Sequence, residues 1–261
     1  MSQASTPKFS PRTPAVPDGM RVYAVGDVHG RADLLDKLLQ KIIADFKKSS
    51  EKSAKNGKNG PDFNKNVLVM LGDLIDRGPD SKGVLELLST QMPDDIRKNF
   101  DVVMLRGNHE VMMMDFIRGR VDAYDWLGNG GMEALESYDI DPHGREVDDL
   151  RVEFKKKLPK AHLDLVRTMK LRHRIGGYMF VHAGLRPGVT LKNQNPDDLV
   201  WIRHSFLDSK VDFGFVVIHG HSIRREPEIL PNRIGIDTGA WMSERLTAIV
   251  LEGEGQRFLS T

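Results

Sequence analysis

The sequence predicts an α/β fold, and two observations carry that expectation. Short apolar runs rich in β-branched residues recur along the chain, and amphipathic helical patterns lie between the early ones. A third observation points to a site. Each run passes at once into a residue able to bind a metal: "VYAVGDVHG" at 22–30, "VLVMLGDLIDRG" at 67–78, "VVMLRGNHE" at 102–110, "YMFVHAG" at 178–184 and "FVVIHGHS" at 215–222. Strands that deliver ligands from their carboxyl ends have this form, and five such ends can converge on one centre.

The elements follow in chain order. Residues 1–19 hold four prolines among Ser, Thr and Lys without apolar periodicity, so a disordered tail is expected there. The fold is expected to occupy 20–261 as one domain. After the first strand, "ADLLDKLLQKIIADF" spaces Leu34, Leu35, Leu38, Leu39, Ile42, Ile43 and Phe46 as one helical face. Residues 47–66 are rich in Lys, Ser, Asn and Gly and nearly free of apolar side chains, which reads as a mobile, solvated loop. "SKGVLELLSTQM" is the next helix. From 111 to 174 the pattern is helical without a strand run, and the apolar spacing marks a packed insertion beside the site, with Met112 to Met114 assigned to packing. Strands resume at Tyr178 and recur at 215–219, 233–236 and 246–251.

Composition narrows the function. Thirty-eight basic against 37 acidic residues leave a formal charge of +1, which gives no global reason to expect nucleic acid or an anionic membrane as a partner. No apolar run reaches the roughly 18 residues of a membrane span, and the first residues lack the apolar block of a secretory signal, so a cytoplasmic location is expected. The chain has no cysteine, which excludes disulfides, thiolate nucleophiles and Cys-ligated zinc. Any metal must then be held by His, Asp, Glu or Asn. The strand ends supply Asp27, His29, Asp73, Asn108, His182 and His221. Asp73 sits beside a glycine that lets backbone approach closely, which suits a bridging carboxylate between two cations.

The blocks GDVHG, GDLIDRG, GNHE, HAG and GHS stand at 26–30, 72–78, 107–110, 182–184 and 220–222. Together they resemble the signature blocks of the phosphoprotein phosphatase family within the calcineurin-like metallophosphoesterases. They occur in the family's order and span most of the chain. "VHAGLRPG", "WIR" and "IDTGA" are similar to the later blocks of bacterial and phage serine/threonine protein phosphatases. The resemblance implies a sandwich of two mixed β-sheets flanked by helices, with metals above the strand ends.

It also implies roles. Asp27, His29 and Asp73 would hold one divalent ion, and Asp73, Asn108, His182 and His221 a second. Manganese is the expected metal, with iron and zinc as alternatives. Arg77 and Arg203 match the family's phosphate-clamping arginines, and forked guanidinium recognition of phosphate suits that task. His109 would protonate the leaving alkoxide, with Asp76 orienting it. The reaction implied is direct in-line attack of a metal-held hydroxide on phosphorus. Of the two histidines in "HGHS", the family register selects His221 over His219. Glu110 reads as a structural brace, Arg186 is left without a role, and His143, His162, His173 and His204 read as surface residues.

The expected substrate is a phosphorylated protein or a small phosphoester, with no nucleic acid or membrane partner and a monomeric chain. A diadenosine polyphosphate hydrolase is the nearest alternative. That subfamily usually has alanine where Asp76 stands and aspartate where Glu110 stands, so both positions favour a phosphomonoester. A catalytically silent phosphate-binding module is the alternative outside enzymes, and the intact ligand set argues against it.

Overall fold

In the computed structural model, which describes residues 13–55, 65–120 and 123–261, β1 (Met20–Val25) leads into α1 (Ala32–Lys55) and β2 (Lys65–Met70) into α2 (Ser81–Ser89) and α3 (Asp94–Asn99). Next, β3 (Phe100–Met104) leads into α4 (Asn108–Arg118) and α5 (Ala123–Trp126). A π-helical turn (Leu127–Gly131), α6 (Met132–Ser137), α7 (Val147–Lys157) and α8 (Lys160–Thr168) complete the helical insertion. The second half runs β4 (Arg172–Ile175), β5 (Tyr178–Val181), α9 (Pro196–Trp201), α10 (His204–Leu207), β6 (Val216–His219), β7 (Glu228–Leu230) and β8 (Arg233–Gly235). It closes with α11 (Ala240–Ser243), β9 (Thr247–Glu252) and β10 (Gly255–Ser260).

The strands form two five-stranded mixed sheets, ordered β10-β9-β1-β2-β3 and β4-β5-β6-β8-β7. Within the first, β1, β2 and β3 are parallel; within the second, β5, β6 and β8 are parallel. Antiparallel β9, β10, β4 and β7 extend the sheets outward from these triplets. The period of two along each strand then sorts side chains by face. Val22, Ala24, Val67 and Val69 meet Tyr178, Phe180, Val216 and Ile218 between the sheets. Tyr23, Val25, Leu68 and Met70 point outward onto the leucine face of α1 and onto the insertion. Met179, Val181 and Val217 point outward onto Leu199, Ile202 and Phe206. Burial on both faces explains why these strands read as continuous apolar runs rather than alternating ones.

The insertion packs on the outer face of the first sheet. Met112, Met113, Met114, Phe116, Trp126, Tyr138 and Phe154 are all buried there, so the methionine run does pack inward. Phe116, Trp126 and Phe154 stack on one another with centroids 4.5 to 6.4 Å apart. His162 is fully buried rather than at the surface. It joins Tyr138 Oη at 2.7 Å to Glu86 Oε2 at 2.9 Å and ties α8 to α2 and α6.

Three boundaries differ from the sequence expectation. Residues 13–19 pack against the body: Val16 is buried between the sheets, its N–H donates to Gly253 O, and Ala15 O accepts from Gly177 N. Proline favours such an extended strap as readily as disorder. Residues 1–12, and 56–64 of the expected loop, lie outside the described residues. α1 continues through residues 47–55, because lysine and glutamate are good helix formers even with no apolar face to reveal them. The expected insertion to 174 ends earlier, since β4 begins at Arg172; its sequence RHRI hides an edge strand with one buried residue. Among the described residues no helix is long and apolar enough to cross a membrane.

Ile218 is fully buried between the sheets. Ile218→Ala is expected to lower the unfolding free energy by about 3 kcal/mol, because a large-to-small change in a packed core leaves a cavity. Chemical denaturation of the purified variant checks this.

Candidate metal centre

The six central parallel strands all point their carboxyl ends the same way, and each is followed by a polar residue that turns into one cleft. Asp27 and His29 follow β1, Asp73 follows β2, Asn108 opens α4 after β3, His182 follows β5, and His221 follows β6. The structure brings these together as a buried group, each at most 5% exposed. Asp73 is its centre. Its Oδ2 lies 3.3 Å from His182 Nε2, 3.6 Å from His29 Nε2 and 3.9 Å from His109 Nε2. It therefore belongs to two neighbouring sets of candidate ligand atoms, one with His29 and His109 and one with His182 and His221. Asn108 Oδ1 sits 3.0 Å from His182 Nε2, and His221 Nδ1 sits 3.2 Å from that same nitrogen.

Backbone carbonyls set the imidazoles. His29 Nδ1 donates to Ile75 O and His182 Nδ1 to Leu71 O, each at 3.0 Å. A carbonyl can only accept, so both rings carry the proton on Nδ1 and turn a lone pair on Nε2 inward. Burial lowers His29 to about 3 and His221 to about 2, which keeps them neutral. His219, in the strand before His221, is buried elsewhere, with Nδ1 on Gly220 O and Nε2 toward Arg233. His221, not His219, shares a cluster of candidate ligand atoms with Asp73 and His182.

Glycine precedes four of the six candidate ligands, and at two of these the steric cause is a carboxylate. A Cβ at Gly107 would fall on the Asp73 carboxylate, and one at Gly220 on that of Asp27. Backbone must approach within hydrogen-bond range there: His109 N–H donates to Asp73 Oδ1 at 3.0 Å and His221 N–H to Asp27 Oδ2 at 2.9 Å. Glu110 joins the two loops, accepting from Asp73 N at 2.9 Å, Leu74 N at 2.7 Å and Gly107 N at 2.8 Å. It is fully buried and does brace the loop. Strain gathers here too. Of the seven described non-glycine residues with positive φ, five are His29, Asp73, Asp76, Arg77 and His221. Each costs on the order of 1 kcal/mol, which the packed surroundings must offset.

The donor set fits divalent cations. Asp27 Oδ1 and His221 Nε2 are buried without a hydrogen-bond partner. Burial first, then the charges of Asp237 and Asp73, pushes the Asp27 carboxyl well above its usual range. Asp237 follows β8, the sixth parallel strand, and burial together with Asp73 pushes it up to about 6. Crowded carboxylates beside neutral imidazoles need positive charge, and a bound cation is the remedy that also satisfies the orphaned atoms. Asp73 already stands well below its usual range: burial opposes this, but its contacts with His182 and His109 outweigh it.

His109 and Asp76 stand beside this group. His109 Nδ1 meets Asp76 Oδ2 at 2.7 Å, and Trp126 Nε1 donates to the same oxygen at 2.9 Å. Burial would lower His109, but the carboxylates of Asp73 and Asp76 raise it above its ordinary value. Burial raises Asp76 as well. Arg77 donates from Nη1 to His29 Nε2 at 3.0 Å, while Arg203 is exposed near His221, on whose ring its charge acts. Arg186 lies apart, paired with Asp198.

The calcineurin-like phosphoesterase family model matches residues 20–239. The chain belongs to that family. Membership makes it a phosphoester hydrolase fold and implies divalent metal ions. This phosphoesterase is 29% identical over 233 residues to serine/threonine-protein phosphatase 1 of Salmonella typhimurium, covering 87% of this chain and 89% of the relative. It is also 22% identical over 251 residues to an asymmetrical bis(5'-nucleosyl)-tetraphosphatase of Oceanobacillus iheyensis, covering 88% of each. A cold-active protein-tyrosine phosphatase of a psychrophilic Shewanella species shares the fold, with a TM-score of 0.57 at 17% identity over 95% of this chain and 83% of that one.

Sequence reasoning missed Trp126 and Asp237. Asp237 was legible in principle, since it ends an apolar run as the others do. Trp126 was not, because its partner Asp76 is 50 residues away. Trp126→Phe removes one donor from a buried carboxylate and is expected to lower stability by about 1 kcal/mol while leaving metal content unchanged. Gly107→Ala is expected to do the opposite, displacing Asp73 and reducing metal retained after dialysis. Elemental analysis beside a melting curve checks both.

Proposed function

We propose that this phosphoesterase is a two-metal phosphomonoesterase that dephosphorylates serine and threonine side chains of proteins. The observation that carries the reading is the buried His109–Asp76 pair beside Asp73, with its 2.7 Å contact. A serine or threonine alkoxide is a poor leaving group and needs a proton as the P–O bond breaks. A nucleotide leaving from a polyphosphate is a stable anion and needs none. An imidazole whose proton affinity is raised by a carboxylate is the device for the first case and is superfluous in the second. Similarity to a serine/threonine-protein phosphatase over most of both chains supports the same choice.

In this reading Asp27, His29 and Asp73 hold one divalent cation, and Asp73, Asn108, His182 and His221 hold another, with manganese the expected metal. When bound, the pair supplies positive charge to the phosphoryl oxygens and acidity to a water. The remaining steps belong to side chains. Arg77, beside His29, and Arg203, near His221, bind the equatorial phosphoryl oxygens and stabilise their growing charge. His109 gives its Nε2 proton to the departing oxygen, and Asp76, fixed by Trp126, holds Nδ1–H and stabilises the charged ring until then. No covalent enzyme intermediate is required.

The deciding assay compares a phosphoserine peptide with diadenosine tetraphosphate, using metal-stripped protein with and without manganese. Metal-dependent release of phosphate from the peptide alone is expected; cleavage of the dinucleotide alone would transfer the site to nucleotide hydrolysis. His109→Asn is expected to keep its metal but to lose at least about a hundredfold in kcat on alkyl phosphates, and much less on activated aryl phosphates. Equal losses on both would remove His109 from the acid role.

A further inference from the structure

Large apolar side chains at the surface are not scattered evenly over this protein. Among the described residues nine are exposed; two of them, Trp201 and Trp241, lie against residues of the site, and two more, Ile223 and Met242, lie against Gly239 at the start of the turn that carries Trp241. Trp201 stands edge-on to His221 with centroids 6.2 Å apart. Trp241 lies under the guanidinium of Arg77, whose Cζ is 5.7 Å from the ring centre. The two indoles thus flank the cleft, one on the His221 side and one on the His29 side. A concentration of apolar surface around a charged site marks recognition rather than packing.

The Trp241 side is also the stiffer. α11 is a single turn held between Gly239 and Glu244, both with positive φ. Asp237 Oδ1 accepts from Gly239 N at 2.9 Å, Ser243 Oγ donates to Thr238 O at 2.8 Å, and Arg31 Nη1 reaches Ala240 O at 3.3 Å. Ile223 and Met242 both abut Gly239, so that a Cβ there would meet Ile223 Cγ2 at 3.0 Å and Met242 Cγ at 3.4 Å. Trp241 and Met242 are therefore presented by a hydrogen-bonded turn beside Arg77, with Ile223 next to it across Gly239. Preorganised surface loses little entropy on binding.

We propose that Trp241, with Ile223 and Met242, is a specificity subsite that takes an aromatic side chain next to the phosphorylated residue of a peptide substrate. The reading rests on the phosphomonoesterase function proposed above. It follows from reach. Arg77 Cζ is 5.7 Å from the Trp241 ring centre, so a phosphoryl group held by Arg77 would bring the residues flanking the phosphorylated one near the indole, consecutive Cα atoms being about 3.8 Å apart. A neighbouring Phe, Tyr or Trp can then stack on Trp241, whereas a small or charged neighbour leaves the indole in water. Trp241 would act as a binding residue and not in the chemistry.

The test uses manganese-loaded full-length protein and phosphoserine peptides that differ only in Phe or Ala at the two positions flanking the phosphoserine. The wild type is expected to prefer a Phe peptide by about tenfold in kcat/KM, mostly through KM. Trp241→Ala should reduce that ratio to about twofold or less, and Trp241→Phe should restore most of it. Fluorescence-polarisation binding of the same peptides with a non-hydrolysable phosphonate in place of the phosphate is measured in parallel. If no peptide turns over but the phosphonate peptides show the Trp241-dependent preference, the phosphatase reading fails and the subsite stands. Equal binding and turnover of Phe and Ala peptides by the wild type overturns the subsite. So does an equal loss on both peptides in Trp241→Ala, because Trp241 would then serve only to hold Arg77.

Discussion

Every feature of the cleft is organised around one buried carboxylate. Asp73 sits at 1% exposure with three imidazole nitrogens within 3.9 Å of one oxygen and a backbone N–H on the other. A charge in that position is tolerable only when it is surrounded by donors or cations. The surrounding chain meets that demand in layers. Carbonyls of residues 71 and 75 turn two rings so that their lone pairs face inward. Glu110, itself buried, clamps the loops after β2 and β3 to each other through three backbone N–H groups. At Gly107 and Gly220 backbone and carboxylate meet without room for a side chain.

Such a site works against the stability of the fold that carries it. Left-handed backbone at His29, Asp73, Asp76, Arg77 and His221 and several like charges in one cleft each raise the free energy of the folded state. The two sheets offset this with an apolar interior in which β1, β2, β5 and β6 are buried on both faces. Divalent cations would relieve the remaining repulsion, so metal binding and folding are coupled through the same carboxylates. The helical insertion contributes to both tasks. Its Phe116–Trp126–Phe154 stack closes the outer core, and the edge of that stack delivers the indole N–H that anchors Asp76. Its π-helical turn supplies the Gly130 carbonyl that receives Arg77 N at 3.2 Å.

This division explains what could be read from the sequence. The central strands were legible because burial on both faces leaves a run of Val, Leu, Ile and Met that stops abruptly at a polar turn. The candidate ligands were legible because they stand at those stops, and the structure brings these six side chains into one cleft. β4, β7 and β10 were hidden, since edge strands such as RHRI and EIL bury little and obey local rather than apolar patterning. The strap at 13–19 was hidden because only Val16 among its residues is buried. His162 was misjudged for the same reason in reverse: nothing next to it in sequence announces that Tyr138 and Glu86 will meet it across the insertion.

The metal ligands alone do not determine the substrate. Relatives named for protein dephosphorylation and relatives named for dinucleotide hydrolysis resemble this chain over similar lengths. The chemistry that separates the two substrates lies one step out from the ligands, where a leaving oxygen either needs a proton or does not. In the proposed reading His109 and Asp76 occupy that step, and Asp76 is held by Trp126, a residue of the insertion rather than of the strands. In the same proposed reading, recognition of what surrounds the phosphate lies one step further, on the exposed Trp241 and Met242 of α11 and on Ile223 in the turn after β6. Catalysis and selectivity are therefore built on different parts of the chain. The strand ends can keep a single strained arrangement while the rim presents indoles and arginines suited to a particular substrate.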